Sequence, residues 1–336
     1  MRATKFAVLL AALLILSPPG RIAALTIKVA SLVPEGSPWY WALLKMASEW
    51  QAISDGRVRM KIYAGGIAGD ETDTIRKMRI GQLQAAMVTG KGLGYIHPDF
   101  YVYQLPFVTR SDEELQNLFR QLQPDLEKRL QEKGFELLAL TQSGWLRFFA
   151  KRQATSPEEM KKLRLFSLEG HAGIDQALRD GGFQIIPLRA NDVFAALHSG
   201  MVEAFAAAPL VAASMQWFAL ASHMNDFHWS PLTGGLIITS GVWNAIPAEL
   251  RPRLKSSAEA ILEQLQLETA RLEEQAIDIM IKNGLTVHQV PEQVVDRWRA
   301  LVAEGLPLLV GEAISRGVYE QALAFVEDYR RGELKK

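Results

Sequence analysis

LTIKVASLVPEGSPWYWALLKMASEW (Leu25–Trp50) and VRMKIYAGGIAGDETDTIRKMRIGQLQAAMVTG (Val58–Gly90) decide the fold. The β-rich run Thr26 to Ala30 leads through Pro34-Glu35-Gly36-Ser37-Pro38 into a segment with Leu43, Leu44, Met46, Ala47 and Trp50 on one helical face. Ser54-Asp55-Gly56 reads as a turn, Val58 to Tyr63 as a second strand, and the Gly-rich loop Gly65 to Asp70 as the entry to a second helix. Asp70, Glu71 and Asp73 fall where the positive end of that helix favours anions. A third strand, Ala85 to Thr89, ends at Gly90. Strand, helix, strand, helix, strand in this order predicts a parallel α/β sheet.

Ahead of this unit, Met1 to Ala24 has basic Arg2 and Lys5, an apolar core from Phe6 to Leu16 and a small-residue end at Ala23-Ala24. This is the pattern of an export signal, whose core is shorter than the ~20 residues a membrane span needs. Cysteine is absent from the 336 residues, which removes disulfides, thiolate nucleophiles and soft metal sites. Lys plus Arg and Asp plus Glu are 37 each, a balance that falls to about −3 without the leader. With no basic stripe interleaved with aromatics, nucleic acid is not an expected partner. No cofactor motif is evident. Gly90-Lys91-Gly92-Leu93-Gly94 lacks full dinucleotide-loop spacing and reads as a strand-exit loop. The cluster His223, Asp226 and His228 falls in a loop and reads as structural rather than as a metal site.

Downstream, Ser111-Asp112-Glu113-Glu114 has capping-box spacing before a long helix, and Phe135 to Thr141 is a further strand. The α/β pattern then repeats: strand Leu163 to Ser167, helix His171 to Asp180, strand Gln184 to Pro187, and a helix Asn191 to Ser199 capped by Asn191. Two successive units imply two lobes with a ligand crevice at the strand carboxyl ends. Pro247 to Lys282 predicts a helix of roughly 54 Å, longer than one lobe and suited to bridging both. The expected division is a leader at 1–24, a first lobe of 25–143 plus about 233–265, and a second of 144–232 plus about 266–336, with the spine helix 247–282 shared.

IKVASLVPEGSPWYWAL, IYAGGIAGDETDTIRKMRIGQLQAAMVTGKGL, FYVYQLPF followed by SDEEL, PEEMKKLRLF and PLRANDVFAALHSGMVEA together resemble the substrate-binding subunits of TRAP transporters. The likeness covers nearly all of the chain after the leader. It implies a periplasmic-binding-protein-like fold with a spine helix, a receptor that closes on a small solute, and delivery to membrane permease subunits without chemistry. The contrasting class, an exported enzyme, needs an acid, base or nucleophile set that the sequence does not present.

The chain departs from the family at two places. Relatives resembling it carry an Arg in P-x-D-L-K-G-L-K-I-R-V-P that forks onto a ligand carboxylate, and laid on Pro157 to Leu168 that position is Phe166. The polar V-D-G-Q-E-N-P segment becomes Val202-Glu203-Ala204-Phe205-Ala206-Ala207-Ala208-Pro209. An unpaired carboxylate in such surroundings is costly, so a lipophilic or largely uncharged ligand is expected. Phe166, Phe205, Trp145 and Phe149 form the expected aromatic wall, with Trp217 and Trp229 behind them in rank, and Ala207 is a further expected ligand-binding position. Glu35, Trp39, Tyr40 and Gly90 supply the first-lobe side. The alternative keeps an organic acid and recruits Arg147 or Arg164, while Arg189 reads as a solvated group. A lipophilic cargo also raises the expectation of a helical-repeat periplasmic partner.

Overall fold

The computed structural model describes residues 24–169, 172–311 and 313–332. The export signal expected over 1–24 lies outside these residues, Ala24 apart, as does the expected start of a helix at His171. Two sheets organise the chain. The first has the order β2-β1-β3-β10-β4, with β1 Leu25–Ser31, β2 Val58–Tyr63, β3 Ala85–Thr89, β4 Phe135–Trp145 and β10 Pro231–Thr239. β1 runs parallel to β2 and β3, as successive strand-helix-strand units require, and β10 enters antiparallel between β3 and β4. The second sheet has the order β11-β9-β5-β8-β6-β7, built from β5 Arg147–Ala150, β6 Arg164–Leu168, β7 Gln184–Leu188, β8 Ala204–Ala207, β9 His223–Asn225 and β11 Thr286–His288.

Each sheet belongs to one lobe, and the chain crosses between lobes on neighbouring strands. β4 passes into β5 through Leu146, whose N–H donates to the Ser230 carbonyl at 2.8 Å and whose carbonyl accepts from the Trp229 N–H at 2.8 Å. A third crossing is the spine helix Arg251–Lys282, 32 residues or roughly 48 Å long. Its Leu254, Ala258, Ile261, Leu262 and Leu265 pack with Ile27, Val29 and Leu236 of the first sheet. Met280, about four turns further on, packs with Phe149 and Phe205 of the second. Among the described residues no helix is long and apolar enough to cross a membrane.

Three local expectations need correction. Gly90 to Gly94 is not a loop but the start of a short helix, Gly90–Ile96, held by burial of Leu93 and Ile96 despite the poor helix propensity of glycine. Asn191 does not cap the helix Val193–Ser199; its side chain reaches across to the first lobe. The C-terminal part of 266–336 does not stay with the second lobe. Val318, Ala322 and Val326 of the helix Arg316–Arg331 pack with Phe100, Leu115 and Leu126 of the first, and Arg330 forks onto Glu114 at 2.8 Å.

Candidate functional site

A cavity of about 430 Å³ lies between the lobes, at the carboxyl ends of β1 and β3 and against β6 and β8. Its wall is mostly apolar, with Trp39, Phe148, Phe166, Trp217, Trp229 and Trp298 contributing rings. The ring of Phe166 meets Trp217 edge-on at 5.7 Å. Trp39 is fixed by donation from its indole N–H to Ser143 Oγ at 2.9 Å. A side that sequence reasoning did not foresee comes from the helix Glu292–Leu309, through Leu301, Val302 and Leu306.

Lys91, a partly buried residue, lines the cavity. Its Nζ donates to Ser167 Oγ across the lobes at 3.1 Å, and the Ser167 hydroxyl donates to Asp175 Oδ1 at 2.6 Å. Glu71, on the first-lobe side, accepts from the Thr89 N–H and from the Thr89 hydroxyl at 2.8 Å. Burial pushes the Lys91 ammonium below the usual lysine range, against the pull of Asp175 and Glu71. Burial likewise raises the Glu71 carboxyl, although its bonds to Thr89 and the charge of Lys91 oppose this. Glu71 therefore turns inward instead of serving the helix end as the sequence suggested; Asp70 alone caps that helix, accepting from the Asp73 N–H at 2.8 Å. Lys91 and Glu71 are the only Lys, Arg, Asp or Glu among the described residues lining the cavity.

Unpaired polar atoms sit beside Lys91. Gln104 Nε2, Thr233 Oγ1 and Thr141 Oγ1 are buried without a hydrogen-bond partner, and all three residues line the cavity. The first two converge above Gly90: a Cβ there would lie 1.8 Å from Gln104 Nε2 and 2.6 Å from Thr233 Oγ1. Glycine at 90 thus leaves the space in which they meet. A buried polar group without a partner is costly, so these atoms mark where a ligand would be hydrogen-bonded.

Of the residues singled out by sequence, Phe166, Ala207 and Trp39 are on the cavity wall. Gly90 lies beneath it, next to Thr89 and Lys91. Phe205 and Phe149 are not on it: they stack on each other at 4.9 Å behind Trp217, in the core facing the spine helix. The two-residue period of β5 explains this, since Phe148 takes the cavity side and leaves Arg147 and Phe149 on the other. Arg147 approaches His228 Nε2 at 3.3 Å and faces Glu273 and Asp226. Trp145 donates to Asp112 Oδ1 at 2.7 Å and stacks on His228, away from the cavity. Arg164 is held at the far end of β6 by the carbonyls of Gly200 and Met201 and by Glu203. Glu35 and Tyr40 do not line the cavity. His223 pairs with His288 at 2.8 Å, and no group of three potential metal ligands occurs among the described residues.

Two lobes joined by several chain crossings, with a ligand-sized cavity between them, define a two-lobed binding protein. The chain belongs to the family described as bacterial extracellular solute-binding protein, family 7, whose model matches residues 29–307. A solute-binding protein of Roseobacter denitrificans is 23% identical over 53% of this chain and 55% of its own length, so the match spans about half of that relative. A TRAP periplasmic solute binding protein from Fusobacterium nucleatum with bound sn-glycerol-3-phosphate superimposes with a TM-score of 0.85 at 20% identity, over 92% of this chain and 99% of that one. A second, from Xanthobacter autotrophicus with bound β-D-galacturonate, gives a TM-score of 0.83 at 18% identity, over 90% and 99%. These structures share the fold described above.

Proposed function

We propose that this protein is the periplasmic solute receptor of a TRAP-type uptake system, holding a small organic acid between its lobes and presenting it to membrane permease subunits. The observation that carries the reading is Lys91, the one cationic side chain on the cavity wall among the described residues. Its ammonium donates a hydrogen bond to Ser167 and, with three N–H donors, has more to offer. Glu71 and Asp175 are each engaged elsewhere, with Thr89 and Ser167. Lys91 thereby takes the place of the arginine that Phe166 replaces. The acids and phosphate bound by the structural neighbours favour the same ligand chemistry.

An uncharged lipophilic ligand, expected from Phe166 and from Phe205 to Ala208, gives way here because it leaves a desolvated ammonium and several donors unpaired. Arg147 and Arg164, the cations considered first for an acid, are both engaged off the cavity wall. Calorimetric titration of the purified protein with a panel of organic acids and their amides tests the reading. Acids are expected to bind and the matching amides to bind at least tenfold more weakly. Equal affinity for both would refute it.

A further inference from the structure

We infer that the solute is an acid with a single polar head and an apolar body, rather than a polyhydroxylated sugar acid or a short diacid. The inference rests on the organic-acid reading and deepens it. The head region is set by Lys91 with Gln104, Thr233 and Thr141. Gly234 is paired with Thr89 on one side and Thr141 on the other, so Thr233 and Thr141 stand on adjoining strands at one end of the first sheet, while Lys91 follows Thr89 in the helix Gly90–Ile96 and Gln104 ends the helical turn Pro98–Gln104. The unpaired donors are gathered there and converge over Gly90. A carboxylate has four acceptor sites and can take several such donors at once.

Most of the rest of the wall is apolar, with Ser31, Tyr101, Ser214 and Ser230 as further polar side chains among the described residues lining it. Ser143 is engaged by Trp39, Ser167 by Lys91 and Asp175, and Glu71 by Thr89. Between them stand rings and aliphatic chains, including Phe166, Trp217, Phe148, Trp298 and Leu306. Each ring hydroxyl of a sugar acid placed against that surface is left without a partner, costing about tenfold in affinity. A second carboxylate meets Phe166 where a cation would be needed. The volume of about 430 Å³ lies in the range of sites that enclose drug-sized ligands and is more than a four-carbon diacid fills.

The test uses the unmodified full-length protein and isothermal titration with butanoate, hexanoate, octanoate, succinate and glucuronate, with octan-1-ol as the uncharged counterpart. Affinity is expected to rise about fourfold per added methylene along the monoacids until the cavity is filled. Octanoate should bind at least a hundredfold more tightly than succinate or glucuronate. If succinate or glucuronate binds as tightly as octanoate, the apolar body is overturned and the organic-acid reading survives. If octan-1-ol matches octanoate, the acid head is overturned and the apolar site survives. Absence of binding by the whole series overturns the inference.

Discussion

At the scale of single residues, position 91 holds the main chemical choice in the cavity. Lysine there, in the helix Gly90–Ile96, reaches the opposite lobe at Ser167. Lys91→Met removes the charge while keeping much of the apolar stem. It should weaken binding of an aliphatic monoacid by about 10- to 150-fold, the usual range for hydrogen bonds to a charged group. Arg164→Gln should leave binding within about twofold, because its partners are Gly200, Met201 and Glu203 at the outer end of β6. Titration calorimetry on both variants checks the pair, and the reverse ranking would sink the assignment of the head group to Lys91. Phe166→Arg tests the other side of the choice: a guanidinium on that wall should reduce octanoate affinity and bring in succinate binding. Retained preference for octanoate in this variant would mean that Phe166 does not face the solute. Phe166 was legible from sequence because it replaces a charged residue in a recurrent segment. Lys91 was not, since a lysine in a Gly-rich stretch gives no sign of whether it points into water or into a cavity. Phe149 and Phe205 misled for a related reason: aromatic character reports burial, and only strand pairing tells which of two buried faces receives the ring.

At the scale of elements, the spine helix and the hinge strands meet at Glu273. Its Oε1 has no hydrogen-bond partner, and a Cβ on Gly144 of the hinge, where φ is +92°, would lie 2.5 Å from it. Burial pushes the Glu273 carboxyl up to about 7, opposed by Arg147 and the Trp145 N–H and assisted by Asp112. Between its ordinary value near 4.5 and about 7, the folded chain retains a proton that the unfolded chain releases. Stability from this group is therefore complete below the lower value and lost as pH rises through the upper one, about 3 kcal/mol in all. Glu273→Gln should abolish that slope and exceed the parent protein in stability above neutrality by up to that amount. Urea midpoints from about pH 5 to about pH 8 check this, and parallel curves for the two proteins would contradict it. The spine helix was readable from its apolar period, as were β1 to β3 from their turn residues. The helix Arg316–Arg331 shows what such patterns leave open. Amphipathicity says that Val318, Ala322 and Val326 are buried, but not that they return to the first lobe, because the partner surface is formed by residues some two hundred positions earlier.

At the scale of the whole molecule, the lobes are joined by covalent crossings and also by a set of polar contacts. Arg189, read from sequence as a solvated group, lies 3.9 Å from Asp70 and 3.8 Å from Asp73 of the first lobe, and 3.5 Å from Glu169 of its own. Asn191 donates from Nδ2 to the Gly65 carbonyl at 3.2 Å. These contacts bridge the two lobes, where small differences in energy shift the balance between open and closed forms. Arg189 remains 57% exposed on its side chain, so its ion pairs are worth no more than about 1 kcal/mol, and the Asn191 bond contributes a similar amount. Removing both, in an Arg189→Ala, Asn191→Ala double variant, should raise the solute dissociation rate by about 5- to 30-fold. The association rate should change little, because contacts made on closure act after the solute has entered. Salt supplies an internal control: exposed ion pairs are screened, so raising ionic strength should speed dissociation from the parent protein and have a smaller effect on the double variant. Stopped-flow measurement of tryptophan fluorescence is suited to both, since Trp39, Trp217, Trp229 and Trp298 line the cavity. Unchanged dissociation rates, or equal salt sensitivity in the two proteins, would show that closure is held by the solute and the hinge without these contacts.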